Sequence, residues 1–180
     1  MINNFSVTPK PQNNNSKIFM YSFFVIALIS VVVSFFLVRY KGVAGLVTLA
    51  SLTTAILVYT KYVSVLFHYD VFSEGEDEPL FVVRQTVGKK HVTLCRVAFA
   101  DITKIEKETR EERRSHKTEP GTARYVYAPT MFPETSYRIS VNNGREKAEI
   151  IIEGTDELRD KLLEIAKIAK EMRLSSDTEE

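Results

Sequence analysis

The chain has 180 residues with 24 Lys or Arg and 23 Asp or Glu, but the near-neutral sum conceals a sharp division. No acid precedes Asp70, and only five basic residues do (Lys10, Lys17, Arg39, Lys41, Lys61); the remainder carries 19 basic against 23 acidic side chains. That mildly acidic soluble part excludes a basic nucleic-acid-binding domain, and the single Cys95 excludes an internal disulfide.

Residues 1–17 are polar, contain Pro9 and Pro11, and are expected to form a flexible tail. Asn4-Phe5-Ser6 and Asn14-Asn15-Ser16 match the glycosylation triplet, a short pattern that an Asn-rich tail produces by chance. Ile18 to Val38 carries no charge and no proline. As a helix it covers roughly 30 Å, the hydrocarbon thickness of a bilayer. The alternative, a cleaved signal peptide, calls for a shorter apolar core followed by small residues. Here Arg39-Tyr40-Lys41-Gly42 follows, and then a second apolar run.

Val43 to Thr60 is that second run, expected to continue past Lys61 towards Phe67, with the lysine stem reaching the membrane interface and Tyr59, Tyr62 and Tyr69 marking the boundary. Its small residues make Gly45, Ala50, Ser51 and Thr54 candidates for helix packing. A connection of about four residues forces the two spans, 18–67, into an antiparallel hairpin. Near-membrane charge is Lys10, Lys17 and Lys61 on one side against Arg39 and Lys41 on the other, a margin of one that favours a cytoplasmic N-tail and soluble domain. Neither span holds an ionisable group before Lys61, so a transport path would need further subunits.

The soluble domain is expected over 68–174, with 175–180 a disordered tail. Phe67–Phe72 reads as a strand, and the glycine, proline and acids of 73–79 as a turn. Leu80–Val87 and His91–Phe99 read as a strand pair joined at Gly88-Lys89-Lys90. Asp101–Glu108 is either a strand or a short helical turn. Thr109–Ala123 has no apolar face and is expected to be a mobile loop. Arg124–Phe132 reads as an aromatic strand, with Pro129 and Pro133 placing it at an edge or an irregular turn. Tyr137, Ile139 and Val141 alternate with polar residues; Asn143-Gly144 suits a two-residue turn with positive φ; Ala148, Ile150 and Ile152 return. Thr155 is a candidate N-cap for an amphipathic helix bearing Leu158, Leu162, Ile165, Ala169 and Met172, widened by Leu163 and Ala166. The class is α+β: a two-helix hairpin, then an antiparallel sheet or half-barrel covered by a final helix.

This order, with the 18–67 hairpin, the 80–99 strand pair and the strand–turn–strand–helix ending, resembles the bacterial membrane proteins that carry a pleckstrin-homology-like (PH-like) domain. The resemblance implies consecutive antiparallel strands in a half-open barrel with a C-terminal helix. Phosphoinositide-binding members carry basic residues in the first strand–strand loop, whereas here that loop holds Glu74, Glu76, Asp77 and Glu78. Four carboxylates repel a phosphorylated headgroup, so phosphoinositide is not the expected ligand. Lys89, Lys90 and His91 form a different basic corner: solvated turn residues, or a contact for anionic lipid headgroups.

Chemistry-bearing motifs are sparse. His68, His91 and His116 are dispersed, no His/Cys spacing suits zinc, and no nucleophile elbow or phosphate loop occurs. The acids of 74–78 lack the twelve-residue calcium pattern. No catalytic residue, metal site or cofactor is expected. The leading expectation is an inner-membrane protein presenting a cytoplasmic binding or scaffold module to a protein partner, or assembling with its own copies in the lipid bilayer. Its rivals are an accessory or pore-forming subunit whose spans do the work, and an enzyme with a site assembled from distant residues.

Overall fold

A computed structural model describes residues 4–73 and 78–176. The acids Glu74, Glu76 and Asp77 and the tail residues 177–180 lie outside the described residues. The chain divides into a helical unit, 13–65, and a sheet-bearing unit, 1–12 with 66–180. It is α+β, as its alternating and helical periodicities predict.

The helical unit is a hairpin. Helix α1 spans Asn15–Phe36, a 3-10 turn covers Val38–Tyr40, and α2 spans Lys41–Val58. A wide π-type turn, Tyr59–Val63, extends α2, with Lys61 5.5 Å from the centroid of the Tyr62 ring. Helix ends here, short of Phe67, because the next residues are already in a strand. Asn15–Phe36 and Lys41–Val63 are both long and apolar enough to cross a membrane, with mean hydropathy 2.5 and 1.8. The contact between the helices is made of small groups: Ala27 and Ser30 on α1, Ala44, Ser51 and Ala55 on α2. The Ser30 hydroxyl donates across it to the Ala44 carbonyl at 2.8 Å. Other hydroxyls bond to carbonyls of their own helix, as Thr48 does on Ala44 at 2.9 Å and Thr54 on Ala50 at 2.9 Å. Leu, Ile, Val and Phe point outward all round.

Of the four candidate packing residues, Ser51 lies in this interface, Thr54 is half-buried, and Gly45 and Ala50 are exposed. A Cβ added at Gly45 would touch nothing. The interface row, Ala44–Ser51–Ala55–Val58, is displaced by one residue from Gly45, and one residue on a helix is a rotation of about 100°.

Among the described residues the sheet-bearing unit holds eight strands: β1 (Phe5–Val7), β2 (Val65–Phe72), β3 (Leu80–Val87), β4 (Lys90–Ala98), β5 (Ile102–Thr109), β6 (Thr122–Tyr127), β7 (Thr135–Asn142) and β8 (Lys147–Ile152). They form two four-stranded sheets, β1-β2-β3-β4 and β5-β7-β8-β6, with no closed barrel. Phe67, Tyr69, Val71, Phe81 and Val83 supply the inner face of the first; Ile105, Tyr137, Ile139, Ile150 and Ile152 supply that of the second. Phe67 of the first meets Tyr127 of the second at 6.4 Å between centroids, and Phe81 packs at 6.1 Å on Phe99 in the turn after β4.

Several expectations are corrected. The N-terminal segment, read as a tail, supplies β1 against β2 with Ser6 opposite Asp70; an Asn/Pro-rich stretch gains order here through pairing, which composition does not report. Thr109–Ala123, read as a loop, contains helix α3 (Arg110–Ser115), started by a full capping box between Thr109 and Glu112. The β7–β8 turn has four residues, 143–146. The Asn143 side chain accepts the N–H groups of Arg145 and Glu146 at 3.0 and 2.7 Å, and only Gly144 takes positive φ (81°). The core register nevertheless agrees with the predicted alternation: Val141 faces Ala148, Ile139 faces Ile150, Tyr137 faces Ile152.

The larger departure is topological. Strand β6 pairs with β8 in parallel, so the strands of the second sheet are neither consecutive nor all antiparallel. Tyr127 at the end of β6 and Tyr137 near the start of β7 both lie beside Ile152 of β8. The intervening residues 128–134 therefore cross the end of β8, a step that an extended seven-residue chain spans easily. Glu153 waits at that end, 1% exposed. Its carboxylate accepts the Thr130 N–H at 3.0 Å, the Thr130 hydroxyl at 2.7 Å and the Gln12 N–H at 3.0 Å.

Helix α4 (Asp156–Ser176) closes the unit against β5 and the 3-10 turn Phe99–Asp101. Thr155 Oγ1 accepts the Leu158 N–H at 3.3 Å, as its capping role predicts. Leu158, Leu162, Ile165, Ala166 and Ala169 are buried, whereas Leu163 and Met172, expected in the stripe, are about 40% exposed. The apolar face is thus narrower than its sequence, since a single flat contact covers only one side of a helix.

Two outcomes test this architecture. Ala55→Leu overpacks the hairpin and lowers its stability by about 1–3 kcal/mol in an SDS unfolding titration, while Gly45→Leu leaves it within about 0.5 kcal/mol. Glu153→Ala leaves the Thr130 N–H without its acceptor, while the Gln12 N–H keeps the Thr130 hydroxyl at 2.9 Å, and lowers the urea stability of the sheet-bearing unit by about 1–3 kcal/mol, followed by tyrosine near-ultraviolet circular dichroism; Glu153→Gln costs less.

Candidate binding site

Alternation along β2, β3 and β4 sends Phe67, Tyr69 and Val71 inward and leaves His68, Asp70 and Phe72 on the opposite, outer face with Val82, Arg84 and Thr86. On that face polar side chains join strand to strand. Thr8 Oγ1 meets His68 Nδ1 at 2.7 Å, His68 Nε2 meets Thr86 Oγ1 at 3.1 Å, and Thr86 Oγ1 meets His91 Nδ1 at 2.8 Å. A second row runs from Ser6 through Asp70 to Arg84, whose Nε donates to Asp70 Oδ2. Arg84 also lies 5.7 Å from the centroid of the Phe72 ring.

Beside these rows is a hollow of about 440 Å³ lined by Phe72, Glu78, Leu80, Val82, Arg84, Thr93 and Arg96. Its floor is apolar and its rim carries two guanidinium groups. Arg84 is neutralised by Asp70, and Glu78 is held at 2.8 Å by Arg173, which also binds Asp101 at 2.8 Å. Arg96 is exposed and has no side-chain partner among the described residues. Strict alternation would place Thr93 and Arg96, three residues apart, on opposite faces. A bulge brings them to one: Val83 pairs with Cys95 and Arg84 with Thr93, leaving Leu94 as the extra residue. The sequence carries no signal for that bulge, so this constellation is not legible in it.

The predicted lipid-headgroup corner is less built. Lys89 occupies the turn after Gly88 (φ 60°), Lys90 and His91 open β4, and all three are exposed. Among the described residues His91 is the one of the three with a bond holding it, to Thr86.

The second sheet carries its own ionic cluster on its outer face. Arg138 Nη2 lies 3.0 Å from Glu108 and 3.2 Å from Glu106, and Nη1 lies 3.8 Å from Glu149 and against His116 Nε2. His116 Nε2 is also 2.9 Å from Glu149. These charges lie within ion-pair range of one another, although the Glu108 oxygens and Arg138 Nε have no hydrogen-bond partner among the described residues, and Glu149 also lines a hollow of about 270 Å³ with Lys104, Glu119 and Lys147.

Electrostatics separates anchoring groups from reactive ones. Burial raises the Asp70 carboxyl, but the Arg84 bond, the Ser6 bond and the Arg84 and His68 charges outweigh it and hold the group below the ordinary carboxylate range. Burial pushes the Cys95 thiol up, away from the thiolate form a nucleophile needs. Burial, then the bond to Asp156, pushes the Tyr137 hydroxyl up to about 12. Among the described residues no three His, Cys, Asp or Glu side chains gather within metal-binding range.

Compared with known proteins, the chain matches no family model, no curated protein and no solved structure with significance.

Asp70 is depressed in the folded state, so the stability it contributes is fully present above its unfolded value, about pH 4, and is lost as pH falls through its lower folded value. Asp70→Asn therefore costs about 1–3 kcal/mol at pH 7, and the gap to the parent protein closes below about pH 4 in urea titrations at stepped pH.

Proposed function

We propose that this is a two-span inner-membrane protein whose sheet-bearing unit is a cytoplasmic, PH-like binding module that presents a docking surface to a protein partner. The observation that carries the reading is the hollow beside Arg96: an apolar floor, an exposed cation with no partner among the described residues, and a rigid frame of cross-strand hydrogen bonds. Such a site recognises rather than reacts. Among the described residues the one hydroxyl lining the hollow, Thr93, is bonded to no base, its carboxylate Glu78 is held by Arg173, and the neighbouring Asp70 is held by Arg84. The strand-then-helix order and the helix closing the sheets support the PH-like comparison; the crossed order β5-β7-β8-β6 weighs against a simple meander. The basic residues Lys10, Lys17 and Lys61 support the cytoplasmic placement.

A second reading has its own support. The outward face of the hairpin carries a groove lined by Val31, Ser34, Lys41, Gly45, Thr48 and Leu49, where a neighbouring helix could approach the Gly45 backbone closely. In that reading the protein is an accessory subunit and the spans carry the function.

Photo-crosslinking amino acids in living cells separate the two. Placed at Val92, Tyr125 or Leu163, they are expected to capture a protein; placed at Gly45 or Leu49, they are not. Capture from the hairpin positions alone overturns the module reading and assigns the function to the spans.

A further inference from the structure

The proposed module has an open flank that its hollow adjoins. Among the described residues strand β4 is an edge strand, paired in its sheet with β3 alone. At nine residues it is the longest strand of the unit, and Lys90 to Thr93 are exposed along it, Val92 to 52%. Edge strands present unpaired backbone N–H and C=O groups that template another strand. The other three edges are shorter or flanked. β1 has three residues and β6 six, against nine in β4; β5 is flanked by α4 and carries mixed charges in Lys104, Glu106 and Lys107.

Charge distinguishes the possible occupants. From Gly88 to Ala100 the chain carries Lys89, Lys90, His91 and Arg96 and no acid. Two copies of β4 brought edge to edge would juxtapose cationic strands with no acid between them, which is unfavourable. An acidic strand meets the opposite condition. The bulge at Leu94 turns Arg96 and Thr93 to the outer face, so a residue added beside them meets the Arg96 guanidinium, and its neighbour two positions along reaches across Thr93 into the hollow floored by Phe72, Leu80 and Val82.

We propose that the β4 edge takes an extended acidic segment of a partner protein as an added strand, with one carboxylate on Arg96 and a long apolar or aromatic side chain in the adjoining hollow. Main-chain bonds supply affinity, and the two outer-face side chains supply selection. This inference rests on the binding-module reading and names the chemistry of its partner.

The test uses the full chain in neutral-lipid nanodiscs, titrated by fluorescence anisotropy with three short synthetic peptides. One places glutamate and phenylalanine alternately on one face of a strand, separated by threonine. The second has lysine for glutamate; the third is the acidic peptide N-methylated at alternate backbone nitrogens. The acidic peptide is expected to bind at least about tenfold more tightly than either. Arg96→Glu weakens it about tenfold and improves the lysine peptide; Arg96→Gln gives an intermediate loss. Lys161→Glu, the same charge change on exposed α4, leaves binding unchanged. Equal binding of the N-methylated peptide, or equal losses from Arg96→Glu and Lys161→Glu, overturns the proposal. So does a cellular crosslink made from Tyr125 or Leu163 and never from Val92, an outcome that leaves the module reading standing.

Discussion

A carboxylate with almost no access to water holds the sheet-bearing unit in its topology. Glu153 sits at the end of β8, where a meander would pass on and where this chain must instead carry residues 128–134 from one side of the strand to the other. Removing a carboxylate from water costs several kcal/mol unless hydrogen bonds compensate. Three donors do so, two from Thr130 and one from Gln12. The Glu153 N–H in turn donates to the Tyr69 hydroxyl at 3.1 Å, and that hydroxyl donates to the Tyr127 carbonyl at 2.6 Å. One buried group thereby joins the N-terminal segment, the crossing segment, β8 and the first sheet. The Gln12 side chain completes the tie, bonding the Thr135 carbonyl at 2.7 Å and the Glu134 N–H at 2.9 Å.

The two sheets use charge differently on their outer faces. On the second, Arg138 is shared among Glu106, Glu108 and Glu149 and lies against His116, and Lys104 also pairs with Glu106, so the charges are paired within the sheet. On the first, the rows Thr8–His68–Thr86–His91 and Ser6–Asp70–Arg84 stiffen the strands, and Arg96 is left outside both. A rigid frame beside an apolar hollow, with a cation that has no partner among the described residues, is how recognition surfaces achieve selectivity at low ordering cost. The proposed function follows from that asymmetry.

The helical unit obeys a simpler rule. Apolar side chains surround both helices, so nothing in their hydrophobicity distinguishes one face from another, and close approach of small residues selects the contact. Ala27, Ser30, Ala44, Ser51 and Ala55 let the backbones meet, and the Ser30 hydroxyl finds the Ala44 carbonyl. Gly45, one position along, falls on the outer surface, where its lack of a side chain opens a groove instead of closing a contact.

The sequence by itself determined the elements: two apolar helices, the β3–β4 hairpin at Gly88, the facing of Ile139 with Ile150, and an N-capped final helix. These depend on periodicity, turn chemistry and composition, which act over a few residues and are written in order along the chain. Only the tertiary structure decided that β1 joins a sheet and Gln12 bonds the crossing segment, that β6 runs parallel beside β8, that a bulge puts Thr93 and Arg96 on one face, and that Gly45 faces outward. Each depends on a partner distant in sequence, or on a one-residue change of phase that reverses a strand's faces or turns a helix by about 100°. Local propensity carries no information about either, because the energy that decides them arises only when the segments meet.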